Sequence, residues 1–272
     1  MNNTIKLAVA SALLAAASSA NAGIIIPAGD WTLDISGNVN AYYSYNKGES
    51  STNNASAATG ALTYGENAAG EDTRTTITTG LLPNFLSVSG KTRQNDLDVG
   101  FTISIQPGTA QNAALNAGSG QQENRQAFLT FGDKSWGTIK AGRDLGIFAS
   151  SAILSDMTLL GVGGGGSNNT AGTTTLGGIG TGYIYADWKA QISYASPNWN
   201  GFSFVAGVIG PWNTTGGVVA NTSTSTPGFE AQATYEWAGD VSGKVWAGTA
   251  YQKVEDLSGQ YRWLQRSNST CF

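Results

Sequence analysis

The residues able to act on a solute gather around one stretch of this 272-residue chain. RQAFLTFGDKSWGTIKAGRDLGIF (residues 125–148) carries Arg125, Lys140, Arg143 and Asp144. Another acid, Asp156, follows in ILSDMTLL, and Asp187, Lys189 and Gln191 lie in YIYADWKAQISYA (183–195). The chemistry open to such a set is electrostatic: basic and acidic groups brought to face one another across water set up a field that orients polar or charged molecules between them. Covalent chemistry has little to work with. The chain has no histidine, which removes Ser-His-Asp and Cys-His nucleophiles and histidine zinc sites. No carboxylate pair stands out for hydrolysis. No catalytic residue, metal site or cofactor is therefore expected. The run GVGGGG (161–166) contains a GxGxxG match, but it follows no strand and opens no helix, so nucleotide binding is set aside.

The elements that must position these residues are short and extended, and the composition agrees. Asp, Glu, Lys and Arg make up only 12% of the chain, against about 25% in ordinary soluble domains. Glycine is abundant at 37 residues, and the net charge of −4 offers no clustered basic footprint for nucleic acid. The single cysteine, Cys271, permits no intrachain disulfide. At the N-terminus, Lys6, the apolar run LAVASALLAAA and the Ala20-Asn21-Ala22 sequence read as a signal peptide over residues 1–22. Beyond residue 22 no apolar run is long enough for a transmembrane helix.

Period two dominates the rest. LDVGFTISIQ (97–106) sets Leu, Val, Phe, Ile and Ile against Asp, Gly, Thr, Ser and Gln. WTLDISGNVNAYYSY (31–45), YIYADWKAQISYA and FEAQATYEWA (229–238) alternate in the same way, so each strand has one apolar and one uncharged or sparsely charged polar face. Five further runs (84–91, 125–132, 135–143, 201–209 and 244–253) read as strands of mixed face, giving nine in all and no helix. Short connections rich in turn formers alternate with long ones at 47–72, 107–124, 144–182 and 210–228, the arrangement of an outer-membrane barrel. A soluble sandwich turns its apolar face inward. Here the apolar faces are small and aliphatic at mid-strand with aromatics near the ends, as expected when that face meets lipid and the polar face encloses water. Closure is also the way a sheet satisfies its backbone in hydrocarbon. Between residues 144 and 182 lies a glycine-rich segment too irregular for a strand; folded back into a wide barrel, it would narrow the lumen.

RQAFLTFGDKSWGTIKAGRD leading into a long third loop, followed by QISYASPNWNGFSF, resembles the trimeric general diffusion porins of Gram-negative outer membranes. The resemblance runs from the leader to about residue 253. It implies an all-β fold, an antiparallel transmembrane barrel of about sixteen strands, with the third loop in the lumen. It implies no enzyme but a water-filled channel in the cell outer membrane. Its expected partners are outer-membrane lipid and lipopolysaccharide, two further copies of the chain, and small hydrophilic solutes and ions. Carried over residue by residue, the basic wall of the constriction falls on Arg143 and Arg125 and the acidic loop residues on Asp144 and Asp156; Lys140 joins them by strand parity, being lumenal if Ile139 and Ala141 face lipid. Asp187, Lys189 and Gln191 would line the pore. Arg143 shares strand parity with Ile139 and Ala141, so its entry into the lumen requires a bulge at Gly142.

The end of the chain departs from the family. Phe272 matches a porin terminus, but Arg266, Asn268 and Thr270 stand where apolar residues belong. The expected organisation is a leader over 1–22, the N-terminal part of a porin barrel over 23–260, and an atypical tail over 261–272 in a truncated or frame-shifted product. The competing reading is a plugged outer-membrane barrel acting as receptor or adhesin through external loops. The two differ in whether residues 144–182 fold inward or project outward.

Overall fold

A computed structural model describes residues 23–47, 73–78, 80, 82–107, 122–155, 186–210, 222–223, 226–252, 254–256 and 261–262. The leader, Asp156, most of the long connections and residues 263–272 lie outside them.

The main sheet has ten strands, all antiparallel. They are β1 (Ile24–Ala28), β2 (Trp31–Asn38), β5 (Phe85–Gln94), β6 (Leu97–Pro107), β7 (Gln122–Asp133), β8 (Gly137–Leu145), β9 (Trp188–Ala195), β10 (Phe202–Ile209), β12 (Gly228–Trp237) and β13 (Gly243–Tyr251), in that spatial order. β3 (Tyr42–Lys47) and β4 (Thr73–Thr78) pair with each other, and β11 (Thr222–Ser223), β14 (Val254–Asp256) and β15 (Tyr261–Arg262) form a small separate sheet. One short helix among the described residues, α1 (Ser150–Leu154), follows β8. Among the described residues no helix is long and apolar enough to cross a membrane. Crossing falls to the strands. β6, with 11 residues, extends about 36 Å at 3.3 Å per residue and covers a hydrocarbon core when tilted.

The sheet is inverted relative to a soluble one. Ile103 is 55% exposed while Ser104 is 1%, Ile192 is 63% while Gln191 is 4%, and Phe229 is 48% while Glu230 is 2%. Register carries this across the strands: Ala141, Ile192, Val208, Phe229 and Tyr251 stand side by side on the exposed apolar face. Near the short turns that face becomes aromatic. Trp199 stacks on Phe202 at 6.3 Å and Tyr235 on Trp237 at 6.2 Å, and the Tyr194 hydroxyl donates to the Trp136 carbonyl at 2.6 Å. Amphipathic rings of this kind settle at a membrane–water boundary.

Several sequence expectations change, the absence of any helix among them, since α1 follows β8. β1 joins the main sheet, giving it ten strands where nine are expected, because IIIPA has no alternation to betray it, and β4, β11, β14 and β15 also lie outside the expected runs. The expected single strand over 31–45 is broken at residues 39–41. There the ladder is replaced by side-chain amides: Asn40 Nδ2 donates to the Leu82 carbonyl at 2.9 Å, Gly80 N–H donates to Asn40 Oδ1 at 2.8 Å, and Asn38 Nδ2 donates to the Pro83 carbonyl at 3.2 Å. Finally, β8 extends through Leu145, so Asp144 belongs to a strand and the inserted loop begins at Gly146.

Candidate functional site

Alternation aims Lys140, Asp144, Lys189, Gln191, Ser193 and Glu230 at the polar face, and three hydrogen-bonded groups form there. Across β6–β8 a relay runs from Arg125 N–H to Gln106 Oε1 (3.0 Å), Gln106 Nε2 to Ser104 Oγ (2.8 Å), Ser104 Oγ to Gln126 Oε1 (3.0 Å) and Gln126 Nε2 to Asp144 Oδ1 (3.0 Å). Lys140 closes it by an ion pair to the other oxygen of Asp144. Lys140 and Asp144 lie four residues apart on one strand, a span of about 13 Å. The ammonium also lies over the Phe128 ring, 4.8 Å from its centroid, and Gly142 stands between the two residues on β8. A Cβ on Gly142 would lie 2.3 Å from the Ala127 carbonyl oxygen, and its φ of +135° belongs to glycine.

On β9, Ser193 Oγ donates to Gln191 Oε1 at 3.1 Å, and Gln191 Nε2 donates to the Leu145 carbonyl at 2.9 Å, fixing the end of β8. Lys189, paired in register with Asp144, forms a buried ion pair with Glu230 Oε1 on β12. Glu230 Oε2 accepts the backbone N–H groups of Ile147 (2.7 Å) and Phe148 (3.0 Å), the first turn of the inserted loop. Charges thus alternate in sign from Lys140 to Asp144, Lys189 and Glu230.

Exposure separates their roles. The Lys140 and Asp144 side chains are 32% and 11% exposed and reach water, whereas Lys189 and Glu230 are 3% and 0% and are sealed. What seals them is the loop. All six buried apolar residues among those described are Ile147, Phe148, Ala149, Ile153, Ala186 and Ile209, in or beside this segment. The asymmetry has a physical cause: apolar side chains gain from burial only where the alternative is water, and so they cluster on the wet face and stay spread on the other. Gly146 admits the close approach. A Cβ there would lie 2.2 Å from the Ala186 carbonyl oxygen, and its N–H donates to the Asp187 carbonyl at 2.7 Å. Asp187, at φ +58°, accepts the Trp188 N–H on its own Oδ1, while its backbone carbonyl, which takes the Gly146 N–H, ties the segment before β9 to the end of β8.

The two arginines stand elsewhere. Register runs unbroken through Gly142, pairing Arg143 with Ala127 and Ala190, so the bulge needed to turn Arg143 inward is absent and the side chain is exposed on the apolar side. The bulge lies instead at Arg125, between the Ser104–Gln126 and Ile105–Asn124 pairs. The Arg125 guanidinium is buried and sits 5.6 Å from the centroid of the Trp188 ring. Glu230 is the residue that sequence reasoning passes over. Its position on the polar face is legible from FEAQATYEWA, but its partners are 41, 82 and 83 residues away. Among the described residues no group of acidic or cysteine side chains could hold a metal ion.

An antiparallel sheet with an exposed aliphatic face, an aromatic margin, a buried polar face and an inserted loop rooted on that polar face defines an outer-membrane barrel wall with its lumen on the polar side. Residues 8–266 match the family described as Gram-negative porin, and the chain belongs to that family. Comparison with individual curated proteins gave no match.

Proposed function

We propose that the chain forms a water-filled channel for passive diffusion of small hydrophilic solutes and ions across the outer membrane, with no catalysis. The observation carrying this reading is the loop root. Residues 146–155 pack on the polar face rather than projecting away from it, which favours a narrowed passage over a receptor or adhesin built on external loops. Lys140 and Asp144 face the narrowed zone with water access and act on passing solutes, and Gln191, Lys189 and Asp187 form the wall behind the loop. Asp156, twelve residues beyond Asp144, is assigned to the same zone on the family resemblance alone. Arg125, stacked on Trp188, braces the wall. The exposure of Arg143 beside Ala127 and Ala190 supports a contact with anionic lipid headgroups, lipopolysaccharide phosphates among them. Export by a cleaved leader at 1–22, a barrel portion over 23–260, a distinct tail over 261–272 and assembly as a homotrimer complete the reading. Reconstituted in planar bilayers, the protein is expected to give stepwise, non-rectified conductance. Silence at every voltage overturns the proposal.

A further inference from the structure

Resting on the channel reading, we infer that Glu230 is the positioning residue that sets the width of the passage, with Lys189 as its counter-charge. Each carboxylate oxygen of Glu230 is committed. Oε1 takes the Lys189 ammonium, and Oε2 takes the two N–H groups at the root of the loop. Those N–H groups have no partner within α1, which begins at Ser150, and a charged acceptor binds them about twice as strongly as a neutral one. The neighbouring contacts act in the same direction. Phe148 leans toward the backbone of β13, where a Cβ on Gly248 would lie 3.4 Å from its ring, and Gly146 is pressed against Ala186. The loop therefore leaves β8, is caught by β12 three strands away in the sheet, and is held across the lumen-facing side. The pair is sealed from solutes, so its influence on permeation is exerted through where the loop sits.

Two double variants separate this from general destabilisation, because neither strands a buried charge. Lys189→Met with Glu230→Met removes the acceptor, whereas Lys189→Met with Glu230→Gln keeps one acceptor oxygen. The readouts on the full chain in lipid are amide hydrogen exchange at Ile147 and Phe148, single-channel conductance, and liposome swelling with a monosaccharide and a trisaccharide. The Met/Met protein is expected to exchange both amides about tenfold to a hundredfold faster, to conduct more per channel, and to admit the trisaccharide. The Met/Gln protein is expected to lie closer to wild type on all three. Unchanged exchange in the Met/Met protein overturns the fastening. Faster exchange with unaltered conductance and sugar cut-off overturns its role in setting width. A wild-type protein that never conducts overturns the channel reading instead, while exchange still decides whether Glu230 holds the loop.

Discussion

Gln191 and Ile192 are neighbours in the chain and opposites in surroundings, which makes them the sharpest test at the residue scale. An arginine at Ile192 meets hydrocarbon, at a cost of about 2–4 kcal/mol near the bilayer midplane. Ile192→Arg is expected to lower the folded fraction in lipid strongly and Gln191→Arg only mildly, as read by gel mobility of the unheated protein. The two ion pairs differ in the same spirit. Lys189→Met alone leaves Glu230 charged under the loop and is expected to cost about 3–5 kcal/mol in urea titrations. Lys140→Met disturbs a pair that already touches water, and its cost is expected to stay below about 1 kcal/mol. Which side chains face the lumen is readable from alternation wherever a strand is regular, as for Gln191 and Glu230. What Glu230 grips is not, because a hydrogen bond to a loop more than eighty residues away leaves no local pattern. Arg143 shows the other gap: its parity gave the true orientation, and the bulge that would have reversed it formed at Arg125 instead.

At the scale of elements, strands announce themselves when both faces are distinct. β6 and β12 have clean alternation and lie where the pattern places them, whereas β9, expected from residue 183, begins at Trp188 because Asp187 turns to φ +58°. β1 does not, because three isoleucines and a proline give no second face. The break after β2 is hidden for the opposite reason, since alternation runs straight through residues 39–41 while the amides of Asn38, Asn40 and Asn84 take over the ladder. Asn40→Ala removes two of those bonds. It is expected to cost about 1–3 kcal/mol and to raise hydrogen exchange at Gly80, with β9 and β10 unaffected. Gly142 marks the pairing of β7 with β8. Gly142→Val places carbon against the Ala127 carbonyl oxygen at a backbone angle valine avoids. Loss of protection in β7 and β8 is the expected outcome.

At the scale of the whole molecule, the sheet's outward grease and inward amides require two solvents at once, and a bilayer pierced by water supplies them. Detergent without a lumen-forming assembly would leave Lys140 and Asp144 wet and the apolar face covered, but would not pair β1 and β13, which stand at the two margins of the main sheet. In hydrocarbon such margins must find partners for their backbone groups. Their directions constrain what those partners are. Ten antiparallel strands make the first and last run in opposite senses, so a seam between them needs no reversal of either. Any ribbons inserted into that seam must come in even number, which means complete hairpins: a lone extra strand would meet one margin head to tail and the other in parallel, and the ring would not close as a meander.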